Sequence, residues 1–167
     1  MNTTISEHDK LWDLIKGIKF GMFTHRQANG WLRSQPLTTL NKSMDEGTRL
    51  YFFIQRQSEI AQWIERDDQV NVSYASPGDE RYVSVSGRAL IVEDVGRKEA
   101  LWSPMLKAWF PGGPTDPTLA LLEVFISHAE YWDVTDNKMV QLVKMAKAAL
   151  TGEPPPDMGE HRKLNMP

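Results

Sequence analysis

The sequence predicts a mainly β protein, an antiparallel barrel-like sheet of six or seven strands with short helices at its openings. Three observations carry that expectation. Apolar and polar residues alternate with a period of two in Gln69 to Tyr74 (Val70, Val72, Tyr74) and in Arg81 to Val92 (Val83 and Val85 against Ser84 and Ser86), as in strands buried on one face. Turn signals recur between strand-like runs, Asn29-Gly30 and Pro77-Gly78 among them, and Asn and Gly tolerate the positive φ of hairpin turns. Most connections are short, unlike the helical crossovers of a doubly wound parallel sheet.

Taken in order, Ser6 caps a first helix, with Asp9 three residues on in a position like that of a capping box. Leu11, Leu14 and Ile15 form the apolar stripe of this helix beside Trp12, and Gly17 ends it. Phe20 to His25 is strand one and Trp31 to Thr39 returns as strand two. Pro36 lies inside strand two and places it at an edge or takes it out of the ladder, because proline has no N–H to donate. Asn41 to Thr48 is a polar loop, and Arg49 to Ile54 is strand three. Ser58 then caps a short helix whose apolar members are Ile60, Ala61 and Ile64, with Trp63 beside them. Gln69 to Tyr74 and Arg81 to Val92 are strands four and five, and Gly87 marks a bulge or bend in the latter. Glu93 to Phe110 reads as one or two helices interrupted near Ser103-Pro104, and Pro111 to Pro114 as a rigid loop. Ala120 to Ser127 is a sixth strand and Ala129 to Val134 a seventh. Met139, Leu142, Val143, Ala146 and Leu150 keep helical spacing and predict a closing amphipathic helix. The expected organisation is a single domain over residues 1–150 and a C-terminal tail over residues 151–167. In that tail Gly152-Glu153-Pro154-Pro155-Pro156 reads as disordered or draped over a partner.

A chain of 167 residues is the size of one domain, and 41% hydrophobic with 25% charged residues is an ordinary globular composition. A net charge of −3 without a long basic run argues against a nucleic-acid partner. With no cysteine, disulfides, thiol catalysis and cysteine-ligated metal centres are excluded, which fits a cytoplasmic location. Met1 to Lys10 lacks the apolar stretch of a signal peptide, and no apolar run approaches the roughly 20 residues of a membrane span, so no membrane partner is expected. The histidines, His8, His25, His128 and His161, show no metal-ligand spacing. Glu130 and Asp133, three apart in a strand, face opposite sides and make a poor acid–base pair. No nucleophile elbow, Walker loop or dinucleotide fingerprint occurs, so no catalytic residue is named.

Two segments carry a chemical suggestion. Arg33-Ser34-Gln35-Pro36-Leu37-Thr38 ends strand two, and Tyr51-Phe52-Phe53-Ile54-Gln55-Arg56-Gln57-Ser58 takes strand three into a helix start. Together they bring a guanidinium, the hydroxyls of Ser34, Thr38 and Ser58, and a helix N-terminus to one end of a small sheet, which are the donors a phosphate group requires. With Ala129-Glu130-Tyr131-Trp132-Asp133 further on, this order of pieces resembles the pyridoxamine-phosphate oxidase-like, flavin-binding split-barrel family, and within it the bacterial general stress proteins. The resemblance runs from about Asp9 to about Leu150.

That resemblance implies a Greek-key split β-barrel, a homodimer, and FMN (or FAD) at the subunit interface. It implies cofactor-binding roles for Arg33, Ser34, Pro36, Leu37, Thr38, Phe52, Phe53, Ile54, Gln55, Arg56, Ser58 and Trp132. Arg33 would salt-bridge the flavin phosphate, the backbone of Phe52 to Gln55 would line the ring, and Trp132 would reach the flavin from the other subunit, with Lys138 a further candidate. Tyr82 aligns loosely with a flavin-contacting glutamine, and Trp109 to Pro114 resembles a loop of the stress-protein branch. The chain departs from the family pattern in two places. Thr38 stands where the oxidases carry a phosphate-binding lysine, and Glu59-Ile60 follow Ser58 where the family carries lysine or arginine, leaving Arg56 as the nearby cation that could compensate. A true pyridoxamine-phosphate oxidase is not expected, because Lys138, Met139 and Val140 occupy the positions of its substrate-phosphate arginine and histidine.

Each site residue also has a plainer reading. Arg33 suits an exposed strand arginine paired with a surface carboxylate, Ser58 a simple N-cap, Phe52 to Gln55 a core strand, and Trp132 core or interface packing. Two functions stay open. One is a flavin-binding general stress protein, non-catalytic or weakly redox-active; the other is a flavin-dependent oxidoreductase acting on a small substrate. The missing basic residues and missing acid–base pair favour the first.

Overall fold

The computed structural model describes residues 6–44, 48–134, 138–155 and 159–166, the first three residues of the last helix by backbone only. Its strands are β1 (Phe20–Arg26), β2 (Leu32–Thr38), β3 (Arg49–Gln55), β4 (Gln69–Ser76), β5 (Arg81–Val92), β6 (Leu119–Asp133) and β7 (Glu160–Asn165). They form one antiparallel sheet in the order β2-β1-β4-β5-β6-β3, with β7 also on β6. The hairpin between β1 and β2 closes at Gly30, whose φ of 84° an L side chain resists. Pro36 sits in the outermost strand, where a missing donor is tolerated.

The helix α1 (Glu7–Ile15) starts as its sequence requires. Ser6 Oγ accepts from Asp9 N–H at 3.1 Å and donates to the Asp9 carboxylate at 2.6 Å. Leu11, Leu14 and Ile15 enter the core, joined by Ile60, Ala61 and Ile64 at α2 (Glu59–Trp63) and by Phe23, Phe52, Val72, Val85, Leu122 and Tyr131 from the strands. A second layer, α3 (Val95–Leu101) and the 3₁₀ turns Pro104–Ala108 and Gly113–Thr115, lies on the other side of β3 and β6. There Phe53 meets Trp102 and Phe110 at ring distances of 6.2 and 6.4 Å, and the buried Lys98 donates to Leu119 O at 3.3 Å.

The expected sixth and seventh strands are one strand of 15 residues. Ser86 pairs with His128 but Gly87 pairs with Ile126, so Ser127 is an extra residue on β6, a β-bulge. The bulge shifts the inward set from Ala120, Leu122, Val124 and Ile126 to Ala129, Tyr131 and Asp133. A change of phase in mid-strand reads in sequence as a break between two strands. Gly87 is required there, because a Cβ would lie 2.1 Å from Phe125 O.

The tail expected over residues 151–167 is corrected in its last part. The helix α4 (Lys138–Thr151) ends where the tail was expected to begin, but Glu160–Asn165 pairs with the His128–Asp133 half of β6. Only Leu164 within this strand, followed by Met166, is a buried apolar residue, too little alternation to mark a strand in sequence. Backbone ladder bonds, the Tyr131 hydroxyl donating to Glu160 and Lys10 at 3.9 Å from the same carboxylate fasten it instead. On α4, the closing helix that the spacing predicts, Leu142, Val143 and Leu150 are exposed, the last by 89%. Among the described residues no helix is long and apolar enough to cross a membrane.

The two outer strands, β2 and β3, are drawn together without a strand ladder. Leu40 N–H donates to Tyr51 O at 2.9 Å, and the Asn41 side chain accepts from Tyr51 N–H at 2.9 Å and donates to Arg49 O at 2.8 Å. Next to them Thr39 Oγ1 and the buried Tyr74 hydroxyl bond at 2.6 Å; burial holds that phenol above its ordinary pKa.

The bulge has a direct test. Replacing Gly87 by Ala should destabilise the fold by about 3 kcal/mol, since the clashing atom is a ladder carbonyl that cannot move alone. The unfolding midpoint in denaturant reads this, and an unchanged midpoint would show that β5 and β6 do not approach as described.

Candidate functional site

β2 and β3 are the two ends of the sheet and, among the described residues, no ladder joins them; we call the unladdered gap between them the slot. The two strands run antiparallel past each other, since the residues after β2 meet the start of β3 while Arg33, at the start of β2, meets the residues after β3. The slot is latched at both ends, by Asn41 at one and by an ion pair at the other. There Arg33 Nη1 donates to Glu59 Oε2 at 3.3 Å, and Gln27 Nε2 donates to Glu59 Oε1 at 3.0 Å. Glu59 is held in place as the first residue of α2, whose cap Ser58 accepts from Ala61 N–H at 3.3 Å. Arg33 and Glu59 are 44% and 38% exposed in their side chains.

The wall of the slot offers backbone. On β3, Arg49 O and both backbone groups of Tyr51 point away from β6, toward β2. The two-residue repeat of an antiparallel ladder therefore aims the N–H and C=O of Phe53 at the same edge. Side chains of β3 divide as the alternation requires: Phe52 and Ile54 are in the core, and Phe53 and Gln55 face the second layer, where Gln55 Nε2 donates to Trp109 O at 3.4 Å. On β2, Ser34 Oγ bonds Thr24 Oγ1 at 2.5 Å, Pro36 and Thr38 are exposed, and Leu37 packs partly on the core.

Arg56 is not a free cation. It makes a two-pronged pair with Glu93 and donates to Pro117 O and Leu119 O at 3.1 Å each. The hydrogen bond and charge of Arg56 hold the Glu93 carboxyl below the ordinary glutamate range, aided by Lys98 at 3.6 Å. This cluster fastens the start of β6 to the end of β3, so the compensation expected of Arg56 is already used in the framework. The loop Trp109 to Pro114 is likewise built as a turn: Asp116 accepts from Gly112 N–H at 2.9 Å and from Thr118 N–H at 2.8 Å.

Trp132 is not brought to the slot. Although β6 neighbours β3, Trp132 lies in the half of β6 that pairs with β7, beyond the Leu119–Phe125 stretch that pairs with β3. Its ring is 40% exposed and stacks on His161 at 4.9 Å and 8°, while His161 Nε2 and Glu130 Oε1 are 2.5 Å apart. The side chain of Lys138 lies outside those described. A recess of about 370 Å³ on the α3 side of β3, lined by Asn41, Lys42, Tyr51, Asp94, Arg97 and Leu101, contains none of the sequence-predicted site residues. Among the described residues no cluster of His, Asp or Glu could hold a metal ion. Sequence reasoning missed the part played by Gln27 and the clasp at Asn41. Neither residue belongs to a periodic run, and each meets its partner only through the fold.

Comparison with known proteins agrees with this architecture. Residues 6–157 match the family described as pyridoxamine 5'-phosphate oxidase like. The chain is 29% identical over 166 residues to Protein bli-3 of Neurospora crassa, covering 92% of this chain and 79% of that one. A solved structure from Jannaschia sp. CCS1 shares the fold with a TM-score of 0.73 at 24% identity, covering 95% of this chain and 96% of that one. A second, the general stress FMN/FAD binding protein of Xanthomonas citri, gives a TM-score of 0.67 at 26% identity, covering 80% of this chain and 91% of that one.

The Arg56–Glu93 cluster makes its own prediction. Because Glu93 has a lowered pKa in the folded protein, its contribution is full above the unfolded value of 4.5 and is lost as pH falls through the folded value. Glu93→Gln should therefore lower stability slightly at pH 7, by less than about 1 kcal/mol for so exposed a pair, and flatten part of the acid-side decline. Parallel acid-side stability curves for the two proteins would count against the pairing.

Proposed function

The chain belongs to the pyridoxamine 5'-phosphate oxidase like family, and from that premise we propose that it is a general stress protein that binds a flavin, FMN or FAD, in the slot between β2 and β3. The observation that carries this reading is the slot itself: two strand edges with no ladder between them, the backbone groups of Phe53 aimed inward, and Arg33 at one end. An exposed strand edge offers alternating donors and acceptors to the pyrimidine edge of an isoalloxazine, and a guanidinium is the natural partner of a phosphate. The bound flavin would supply the electron chemistry. The chain's own part is to hold and orient: Phe53 by its backbone, Arg33 by charge, and Ser34 and Thr38 by their place on the facing strand. Among the described residues no pair of side chains at the slot suits proton transfer to a substrate, which favours holding over turnover.

The reading includes a homodimer. Met22, Tyr82, Phe125 and Trp132 are exposed on the sheet, and Leu142, Val143 and Leu150 are exposed on α4, more apolar surface than scattered single residues leave. A second copy of this chain would cover that surface and supply the Trp132 that one chain cannot bring to its own slot.

Two outcomes are expected. Light scattering at micromolar concentration should give about twice 19.1 kDa, and a 19.1 kDa species alone would remove the two-chain site. Titration with FMN should quench flavin fluorescence and shift its visible absorption, and absence of both would remove the flavin. Rapid bleaching of the bound flavin by NADH or NADPH, with turnover of an acceptor, would replace holding by an oxidoreductase activity.

A further inference from the structure

We infer that Glu59 is a built-in competitor for the anionic end of the ligand, so that the slot takes a flavin with an uncharged tail, such as riboflavin, about as well as one bearing a phosphate. The inference rests on the flavin reading and concerns the same slot. Arg33 and Gln27 are the donors that meet at its α2 end, and both are taken by one carboxylate, at 3.3 and 3.0 Å. The Ser58 cap fixes the start of α2 and with it the backbone of Glu59, which tethers the carboxylate beside Arg33. The other cation near this turn, Arg56, is engaged by Glu93 and two carbonyls. Arg33 and Glu59 therefore cancel. A phosphate approaching Arg33 has to displace Glu59 from the guanidinium and then sit beside a like charge, whereas a neutral ribityl end meets no such opposition. The pair is partly exposed and so exchangeable, which makes Glu59 a specificity-determining residue and not a permanent block.

The test is a set of fluorescence titrations with riboflavin and FMN. In the wild type the two dissociation constants should agree within about threefold, because the charge at the slot end is balanced. Glu59→Gln keeps the length and the acceptor for Gln27 but leaves Arg33 unopposed. It should tighten FMN about tenfold or more while moving riboflavin less than about threefold. In Arg33→Ala/Glu59→Gln the gain for FMN should vanish, since it acts through the guanidinium. An equal gain for both flavins in Glu59→Gln, or no gain for FMN, overturns the inference and leaves the flavin reading standing. A wild-type preference for FMN of a hundredfold overturns it without any variant, so the test survives a variant that fails to fold. Failure of riboflavin and FMN alike to bind any of the proteins overturns the flavin reading and this inference with it.

Discussion

The division of one edge of β6 governs the rest of the structure. β5 follows this strand along nearly its whole length, while the opposite edge is shared, β3 taking Leu119–Phe125 and β7 taking His128–Asp133. The handover falls at the Ser127 bulge, opposite Gly87, where the Phe125 carbonyl leaves no room for a Cβ. Among the described residues β3 pairs only with β6, and β2 only with β1, so each ends the sheet. A barrel that closed by a ladder would have no slot. This one closes by the Leu40 N–H to Tyr51 O bond and the Asn41 side chain at one end and by the Arg33–Glu59 pair at the other, and the backbone between them stays available.

Charge in the structure is mostly arranged in local pairs, and their placement separates framework from site. Arg56, Glu93 and Lys98 sit where β3, β6 and α3 meet, and they bond main-chain carbonyls as well as each other. Arg81–Asp133 and Arg49–Glu123 tie strands across β6 in the same manner. Lys10, Tyr131 and Glu160 fix β7, and burial together with the Glu160 carboxylate pushes the Tyr131 phenol up to about 12, so this hydroxyl stays a donor throughout the physiological range. Arg33–Glu59 differs from these in lying at the rim of an opening instead of across a strand pair.

Much of the fold was legible because local chemistry and tertiary structure agree. The Ser6 and Ser58 caps, the Asn29-Gly30 turn, the alternation in β4 and the limits of β5 all follow from short-range rules. The misreadings have physical causes. β6 looked like two strands because Ser127 reverses its alternation, and β7 was invisible because its pairing rests on backbone bonds and a single inward leucine. At the site, the residue types around Arg33 and Ser58 pointed to an anion, and the resemblance pointed to a flavin. What the sequence could not give was the state of the charges: that Arg56 belongs to Glu93, and that Glu59, noticed only as an odd neighbour of Ser58, already holds Arg33. Pairings across 26 and 37 residues follow from the curl of the sheet, not from any local pattern.

The most direct measurement is amide hydrogen exchange with and without saturating flavin. Phe53 N–H, aimed into the slot from the free edge of β3, should exchange markedly more slowly when the ligand is bound. Amides of α3, on the opposite side of the strand, should be unaffected. Protection that appears around Arg97 and Leu101 and leaves Phe53 unchanged would move the ligand to the other side of β3 and contradict a site built on the open edges of the sheet.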